Sequence, residues 1–313
     1  MTAPFVARAP AKVNLTLRVL GRRDDGLHEI KSLVVFTALA DDVSLQTGRP
    51  LGLDIQGPLR QACGPAADNL VLKAAAALAA RIPDLWLGHF ILVKRIPVAA
   101  GLGGGSADAA AALRLLAQAN AVALDDPCVL AAARQIGADV PVCLDPRSRI
   151  MRGAGEVLSE PLDLPKLAAV LVNPGVELAT KDVFAAFDRS QARRQPEVGG
   201  REAAQPPRAA SPSSFEARLR RAPQDDSDRD GLLAFLESQR NDLEAAAISL
   251  HPAIAEVLAV LRALPQCRLA RMSGSGASCF VLCDTKQAAA AAAQALRAAQ
   301  PSWWIQESIL GSD

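Results

Sequence analysis

The sequence predicts an α+β fold made of two domains, which we place at residues 1–155 and 156–313. Two observations favour this class. Apolar runs with the two-residue period of strands alternate with alanine- and leucine-rich runs of helical composition. The order of the elements changes after residue 155. Half of the 313 residues are apolar, which is enough for hydrophobic cores of ordinary size.

The first 155 residues carry most of the predicted strands. A polar turn at 22–26 separates the first strand from further apolar runs, and Pro97 ends a later one. In this half we predict strands at 11–19, 90–96 and 140–144, an apolar run at 29–39, further strand and turn at 41–53, and helices at 69–81, 106–119 and 127–137.

The second half mixes shorter elements with one unusual segment. Residues 189–230 hold five prolines, many charges and only isolated apolar side chains. Such a segment buries too little surface to offset its ordering entropy, so we predict a flexible insertion there. The remaining predictions are a strand at 168–172, helices at 232–247, 253–264 and 286–299, and a strand region at 270–283 interrupted by a Ser-Gly-Ser-Gly turn.

The composition limits the partners and the compartment. The 34 Lys and Arg residues nearly balance the 33 Asp and Glu residues, so no global field attracts nucleic acid or an anionic membrane. The six cysteines form no Cys-x-x-Cys pair and the three histidines lie far apart, which argues against a metal site. Residues 1–10 lack the pattern of a signal peptide, and no run reaches the roughly 20 apolar residues of a membrane span. We therefore expect a cytoplasmic protein.

The most informative segment is the Gly-Leu-Gly-Gly-Gly-Ser turn at residues 101–106, between a strand and an alanine-rich helix. Glycines let the backbone approach a phosphate without an intervening Cβ. The free N–H groups and the dipole at the helix N-terminus then favour negative charge. Ser106 either caps this helix or offers its hydroxyl to a phosphate or to Mg²⁺. The turn predicts a small-molecule kinase that binds ATP here.

Two other phosphate-binding motifs are excluded by the same residues. A Walker loop requires a lysine after the glycines, and none follows. The dinucleotide fingerprint requires a third glycine where Ser106 stands. A simple glycine-rich connector is the remaining alternative. Four glycines in five positions carry a high backbone entropy cost, which argues against it.

Three polar side chains lie in apolar surroundings. Lys12 is within an apolar strand, and Asn14, two residues on, shares its face. Asp139 lies where a predicted helix meets a predicted strand, so it should be paired, capping or functional. Phosphoryl transfer needs a carboxylate near the acceptor hydroxyl and a cation near the transferred group. The alternatives are a capping role for Asp139 and a surface role for Lys12, with its amine in water.

Three segments, 10–15, 97–107 and 272–277, resemble in order and spacing the motifs of the GHMP kinases, which include galactose, homoserine and mevalonate kinases. The segments 21–29 and 137–142 are similar to members that phosphorylate a cytidine diphosphate alcohol in the non-mevalonate isoprenoid pathway. The resemblance covers nearly the whole chain outside the predicted insertion. It implies a two-domain fold with the active site in the interdomain cleft, and transfer of phosphate from ATP with Mg²⁺ to the 2-hydroxyl of that alcohol.

The resemblance also implies roles for individual residues. Asp139 would take the proton of the acceptor hydroxyl, and Lys12 would orient the reacting groups or neutralise their charge. His28 would contact the cytosine edge, and Phe184 would form an aromatic wall for the base. The other implied substrate-binding residues are Asn14, Thr180, Gly274, Ser275 and Gly276.

The implied ATP site is centred on the glycine-rich turn. The residues after the preceding strand and at the start of the following helix complete it, and two further positions lie near the nucleoside. The implied ATP-binding residues are Pro97, Val98, Ala99, Ala100, Gly101, Leu102, Gly103, Gly104, Gly105, Ser106 and Ala107, with Asn69 and Lys94 at the nucleoside.

Several alternatives stay open at this stage. His28 alone is typical of an exposed turn, Phe184 of a core helix, and the Ser-Gly-Ser-Gly segment of a hairpin turn. The protein is alternatively another GHMP kinase, for homoserine or a mevalonate derivative, or a catalytically silent nucleotide-binding regulator. One departure bears on the substrate: members of this branch often have a tyrosine that stacks on cytosine where this chain has Leu27.

Overall fold

The computed structural model describes residues 4–194 and 226–311 as a mixed α/β structure built on one sheet. Within these residues the sheet has eleven strands, in the order β4-β5-β3-β11-β8-β10-β9, with β1, β2 and β6 paired to β3 and β7 paired to β6. The strands are β1 Phe5–Asn14, β2 Arg18–Arg22, β3 His28–Thr47, β4 Gly52–Gln56, β5 Gly88–Val93, β6 Arg149–Gly153, β7 Val157–Leu158, β8 Leu167–Asn173, β9 Leu269–Met272, β10 Cys279–Cys283 and β11 Trp304–Leu310.

The helices pack against this sheet from both halves of the chain. Their ends follow ordinary capping rules: Asn69, Asp126 and Thr285 each accept a backbone N–H at a helix start. The described helices are α1 Leu70–Ala79, α2 Gly104–Ala119, α3 Pro127–Ile136, α4 Val140–Leu144, α5 Thr180–Arg194, α6 Asp226–Ser238, α7 Glu244–Leu250, α8 Ala253–Arg262 and α9 Lys286–Ala299.

The long strand β3 joins the two halves. It pairs along its length with β1, β2, β5 and β6, and its residue Thr37 pairs with Leu310 of β11. A hydrophobic cluster made of side chains from both halves lies at this junction, and it includes Val13, Leu171 and Phe280. The sheet therefore runs across residue 155. The division into two domains at that point stays a prediction.

The structure confirms most predicted elements to within a few residues, with four corrections that concern five predicted stretches. The predicted strand at 11–19 is divided between β1, which ends at Asn14, and β2, which begins at Arg18; between them Leu17 donates its backbone N–H to Arg240 instead of to β3. The predicted runs at 29–39 and 41–53 are one strand, β3, followed by the short β4.

The other two corrections concern helices. Residues 140–144 form helix α4, where we predicted a strand. A five-residue apolar run does not distinguish the two, and Pro141 in the first turn favours the helix. The predicted helix at 232–247 is two helices, α6 and α7. The chain breaks between them at Asn241, whose amide donates to the carbonyls of Met272 and Gly274, 2.9 and 2.7 Å away.

The six cysteines are free thiols. Among the described residues no helix is long and apolar enough to cross a membrane. The ends of the predicted insertion, 189–194 and 226–230, belong to α5 and α6. The rest of it, residues 195–225, lies outside the described residues.

Candidate active site

A cleft of about 880 Å³ is lined by residues from both halves of the chain. One wall comes from β1, the start of β3 and the loop that leads into α2. The opposite wall comes from the first turns of α5 and the turn between β9 and β10. The predicted site residues that line it are Lys12, Asn14, His28, Asn69, Lys94, Val98, Ala99, Ala100, Gly101, Gly103, Gly104, Gly105, Ser106, Asp139, Thr180, Phe184, Gly274 and Ser275.

The glycine-rich turn forms the N-terminus of α2 and packs tightly on β1. Gly103 is the N-cap residue, with a φ of +61°. A Cβ at Gly103 would lie 3.3 Å from side-chain carbons of Lys12 and 3.9 Å from Oδ2 of Asp139. The backbone N–H of Lys12 donates to the carbonyl of Leu102 at 2.8 Å. The helix N-terminus, with its free N–H groups, therefore lies directly beside the predicted catalytic pair.

The turn at residues 273–276 is packed against the glycine-rich turn. A Cβ at Gly101 would lie 2.5 Å from the carbonyl oxygen of Gly276 and 2.6 Å from that of Ser273. The hydroxyl of Ser273 donates to the carbonyl of Gly101 at 3.0 Å and accepts the backbone N–H of Asn14 at 3.1 Å. The Ser-Gly-Ser-Gly segment thus does more than reverse the chain, because it connects the two loops to β1.

Lys12 and Asp139 form an ion pair at the floor of the cleft. The Lys12 Nζ atom lies 2.9 Å from Oδ1 of Asp139 and 3.0 Å from Oδ1 of Asn14. The Lys12 side chain is 5% exposed and that of Asp139 is 34% exposed, so the carboxylate is the partner that a ligand can reach. The amide of Asn14 donates to the Ser32 hydroxyl at 2.7 Å, which fixes its oxygen toward the lysine. The predicted shared face of Lys12 and Asn14 is confirmed.

Ser106 does not cap α2. The N-cap position is Gly103, and the described residues provide no side-chain hydrogen bond at this cap. Ser106 is the third residue of the helix and lines the cleft. Contact of its hydroxyl with a phosphate or with Mg²⁺, the other role that the sequence left open, stays a prediction.

A second lysine, Lys94, is buried with two carboxylates. Its Nζ atom lies 2.6 Å from Oδ2 of Asp41 and 2.6 Å from Oδ2 of Asp108. Burial lowers the pKa of Lys94, but the two carboxylates outweigh burial, so its pKa is raised. Burial raises the pKa of Asp108 to about 7, against the opposing effect of Lys94. The other Asp108 oxygen, Oδ1, is buried without a hydrogen-bond partner in the described structure.

At the far end of the cleft His28 and Phe184 are in contact. Their rings stack with centroids 4.5 Å apart and planes 21° from parallel. The Nε2 atom of His28 lies 2.7 Å from Oδ1 of Asp188 on α5. Leu27 is 53% exposed and also lines the cleft. The structure therefore brings the two predicted base-binding residues together, with His28 covering one ring face of Phe184.

The remaining predicted residues support the walls. The Thr180 hydroxyl lies 2.9 Å from that of Ser275, so α5 and the turn between β9 and β10, which form the same wall, are bonded to each other. Asn69 lines the cleft and also caps α1. Four predicted residues do not line the cleft: Leu102 and Ala107 are buried in the cores behind the loop, Gly276 is buried against Met272, and Pro97 is half-buried.

Sequence reasoning missed four residues of this site. They are Asp41, Asp108, Asp188 and Asn241. Only Asp108 carried a local signal, because a carboxylate in the second turn of an alanine-rich helix is unusual at a buried position. The partners of the others lie 31 to 160 residues away along the chain, so no local pattern marks them.

Two family models match the chain. The model for the GHMP kinases N terminal domain matches residues 69–145, and the model for the GHMP kinases C terminal matches residues 227–302. The first match contains the glycine-rich turn and Asp139, and the second contains the turn at 273–276. Each wall of the cleft thus includes a matched segment, which defines the class as ATP-dependent small-molecule kinases of the GHMP type.

Individual relatives narrow the class. The 4-diphosphocytidyl-2-C-methyl-D-erythritol kinase of Methylobacterium radiotolerans is 52% identical over 97% of this chain and 98% of its own. The kinase of the same name from Azorhizobium caulinodans is 51% identical over 98% of this chain and 99% of its own. The crystal structure of a 4-(cytidine 5'-diphospho)-2C-methyl-D-erythritol kinase matches with a TM-score of 0.72 at 34% identity, over 99% of this chain and 100% of that chain. The chain therefore belongs to the GHMP kinases, in the family of 4-diphosphocytidyl-2-C-methyl-D-erythritol kinases, and the predicted family and fold class are confirmed.

A first prediction tests the contact between the two turns. In Gly101→Ala the new Cβ clashes with two backbone carbonyls, so the glycine-rich turn must move away from residues 273–276. We expect the kcat/KM for ATP to fall about 10- to 100-fold, because displacements of about 1 Å have effects of this size. Steady-state kinetics at varied ATP concentration measures the change.

The matched control is Gly48→Ala. Gly48 has a similar φ of +77°, but a Cβ there meets nothing within 4 Å. Both variants place an alanine at a positive φ, which costs about 1–3 kcal/mol of stability. Chemical denaturation of each variant measures this cost. Equal ATP kinetics in the two variants would show that the contact has no part in nucleotide binding.

A second prediction concerns the pH dependence of stability. The Asp108 carboxyl has a pKa of about 7 in the folded protein and about 4 when unfolded. Between these values the folded state binds the additional proton, so this group makes the free energy of unfolding fall as pH rises from about 4 to about 7. Asp108→Asn removes that dependence.

The measurement is urea denaturation of wild type and Asp108→Asn at several pH values across this window. We expect the stability of wild type relative to the variant to decrease as pH rises. Asp125→Asn, an exposed position, serves as the control and should leave the pH profile unchanged. If the difference in free energy of unfolding between wild type and Asp108→Asn does not change with pH, the assignment is contradicted.

Proposed function

We propose that this protein phosphorylates the 2-hydroxyl of 4-diphosphocytidyl-2-C-methyl-D-erythritol with ATP as donor, in the non-mevalonate route to isoprenoid precursors. The observation that carries the proposal is the Lys12–Asp139 pair at the N-terminus of α2. This places a reachable carboxylate and a buried cation beside a phosphate-binding helix end. The identity of the acceptor is taken from the relatives that match nearly the whole chain, which are kinases of 4-diphosphocytidyl-2-C-methyl-D-erythritol.

The ATP phosphates are assigned to the glycine-rich turn and the first N–H groups of α2. Gly103, Gly104 and Gly105 line the cleft and leave the backbone open to an anion. When bound, ATP supplies the transferred phosphoryl group and Mg²⁺ neutralises its spreading charge. The Ser106 hydroxyl is the side-chain oxygen that would fit Mg²⁺, which usually takes one or two protein ligands beside the phosphates.

Asp139 is assigned the role of general base. Its Oδ1 atom is bonded to Lys12, and within the described structure no hydrogen bond is formed by Oδ2. The acceptor hydroxyl would donate to this carboxylate, and its proton would move to Asp139 as the oxygen forms its bond to the γ-phosphorus and the bond from that phosphorus to the bridging oxygen breaks, with ADP as the leaving group. The Lys12 ammonium keeps the carboxylate oriented and adds positive charge beside the transferred group.

The base of the acceptor is assigned to the end of the cleft that contains His28 and Phe184. His28 offers a ring nitrogen for hydrogen bonding, and Phe184 offers an apolar ring face. Members of this branch often have a tyrosine at the position of Leu27, between β2 and β3. In this chain the base therefore loses the aromatic wall that such a tyrosine would provide. Thr180 and Ser275, whose hydroxyls lie 2.9 Å apart, line the cleft and are assigned to the part of the acceptor between its base and its reacting hydroxyl.

A third prediction tests the base. Asp139→Asn keeps the shape of the side chain and removes its capacity to accept a proton. We expect kcat to fall by about 10²–10⁴ while ATP still binds. Single-turnover kinetics and nucleotide titration measure the two effects. Asp125→Asn is the control for carboxylate removal at an exposed position, and near-normal turnover in Asp139→Asn contradicts the assignment.

A fourth prediction tests the acceptor. Wild-type protein is incubated with ATP and each of several alcohols: the cytidine diphosphate alcohol, homoserine and mevalonate. We expect kcat/KM for the cytidine compound to exceed the others by about 10⁴, because the polar edge of the base is then paired with the site. Comparable phosphorylation of homoserine or mevalonate would identify a different GHMP kinase. ATP binding without phosphorylation of any alcohol would indicate a nucleotide-binding regulator.

A further inference from the structure

Three side chains of α5 enclose the imidazole of His28. Phe184 stacks on its face, Phe187 meets it edge-on with centroids 6.4 Å apart, and Asp188 lies 2.7 Å from its Nε2 atom. The His28 side chain is 10% exposed as a result. One carboxylate, 160 residues away in sequence, is the polar group that faces this ring in the described structure.

The contact with Asp188 determines which ring nitrogen carries the proton. An ionised carboxylate only accepts hydrogen bonds, so the hydrogen at this contact belongs to Nε2 of His28. In the neutral imidazole Nδ1 then has no hydrogen and acts as an acceptor. Within the described structure Nδ1 forms no hydrogen bond to the protein, so it is the nitrogen left for a ligand.

We propose that Asp188 is a positioning residue that holds His28 in the Nε2–H tautomer, so that Nδ1 accepts a hydrogen bond from the exocyclic amino group of a cytosine base. This inference rests on the proposed function, because it takes the acceptor to be a cytidine compound. A uracil base in the same pose presents a carbonyl oxygen to the Nδ1 lone pair. Asp188 thereby contributes to the choice between cytidine and uridine compounds.

Asp188 is itself held in place by a second contact. Its Oδ2 atom lies 3.6 Å from the Arg22 guanidinium on β2, while Oδ1 contacts His28 at the start of β3. The carboxylate thus bridges α5 to both strands of the β2–β3 hairpin. The Arg22 contact leaves Oδ1 directed at the imidazole, and the stack on Phe184 sets the plane in which Nδ1 lies.

The first experiment examines the free protein by ¹⁵N NMR of the histidine side chains. The chain has three histidines, so His28 is assigned by comparison with His28→Gln. We expect the Nε2–H tautomer for His28 in wild type and a mixture of tautomers in Asp188→Ala. The control is Asp182→Ala, an exposed carboxylate on the same helix. An unchanged His28 tautomer in Asp188→Ala overturns the proposal.

The second experiment compares the cytidine diphosphate alcohol with its uridine analogue. In Asp188→Ala we expect the ratio of their kcat/KM values to fall about 10-fold or more, since removing one well-placed hydrogen bond has effects of this size. The KM for ATP should stay within about twofold of wild type. Equal losses for ATP and for both alcohols would show a merely structural role and overturn the proposal.

The two experiments separate this inference from the proposed function. The NMR measurement needs no substrate, so it tests the Asp188–His28 contact even if wild-type protein phosphorylates neither pyrimidine compound. In that case the proposed function fails and the assignment of a base to Nδ1 falls with it, while the tautomer result still decides the positioning role. A cytidine-to-uridine ratio near one in wild type overturns the specificity part directly.

Discussion

The close packing of the glycine-rich turn on the turn at 273–276 is the constraint on which the rest of the site depends. Gly101 allows the two backbones to approach within distances that no Cβ permits, and Ser273 bonds both Gly101 and Asn14. This contact positions the N-terminus of α2 against β1, where Lys12 and Asn14 lie side by side. Residues some 170 positions apart in sequence thus become one rigid surface. A phosphate-binding loop that moved independently of β1 would not keep its anion next to Asp139.

The sequence predicts the parts of this site that local chemistry determines. Four glycines before an alanine-rich helix indicate an anion site, and the two-residue period of a strand puts Lys12 and Asn14 on one face. The structure agrees on both points. Helix α4 shows the limit of the same reasoning, because a buried five-residue apolar run has no period to read. Its first-turn proline was the better signal.

The residues that sequence reasoning missed share a physical cause. Asp41, Asp188 and Asn241 each bond a group far away in the chain, so their polarity is explained only after the sheet has formed. Asn241 breaks the predicted helix at 232–247 because its amide is needed by two carbonyls of the β9–β10 region. A buried carbonyl without a partner costs about 1–3 kcal/mol, more than the helical turn contributes. At Asn241 the hydrogen bonds to these distant carbonyls therefore outweigh the local preference of the sequence for a helix.

The two buried lysines of the cleft, Lys12 and Lys94, differ in the number of carboxylates around them and therefore in the local net charge. Lys12 has one carboxylate partner, which is partly exposed, so its charge remains available beside the phosphate-binding turn. Lys94 lies between two buried carboxylates that more than balance its charge when both are ionised. Such a group does not attract a phosphate, but its third N–H and the unpaired Oδ1 of Asp108 suit the polar edge of a neutral ligand. The charge arrangement thus favours Lys12 over Lys94 as the cation for an anionic ligand, and the place of Lys94 near the nucleoside stays a prediction.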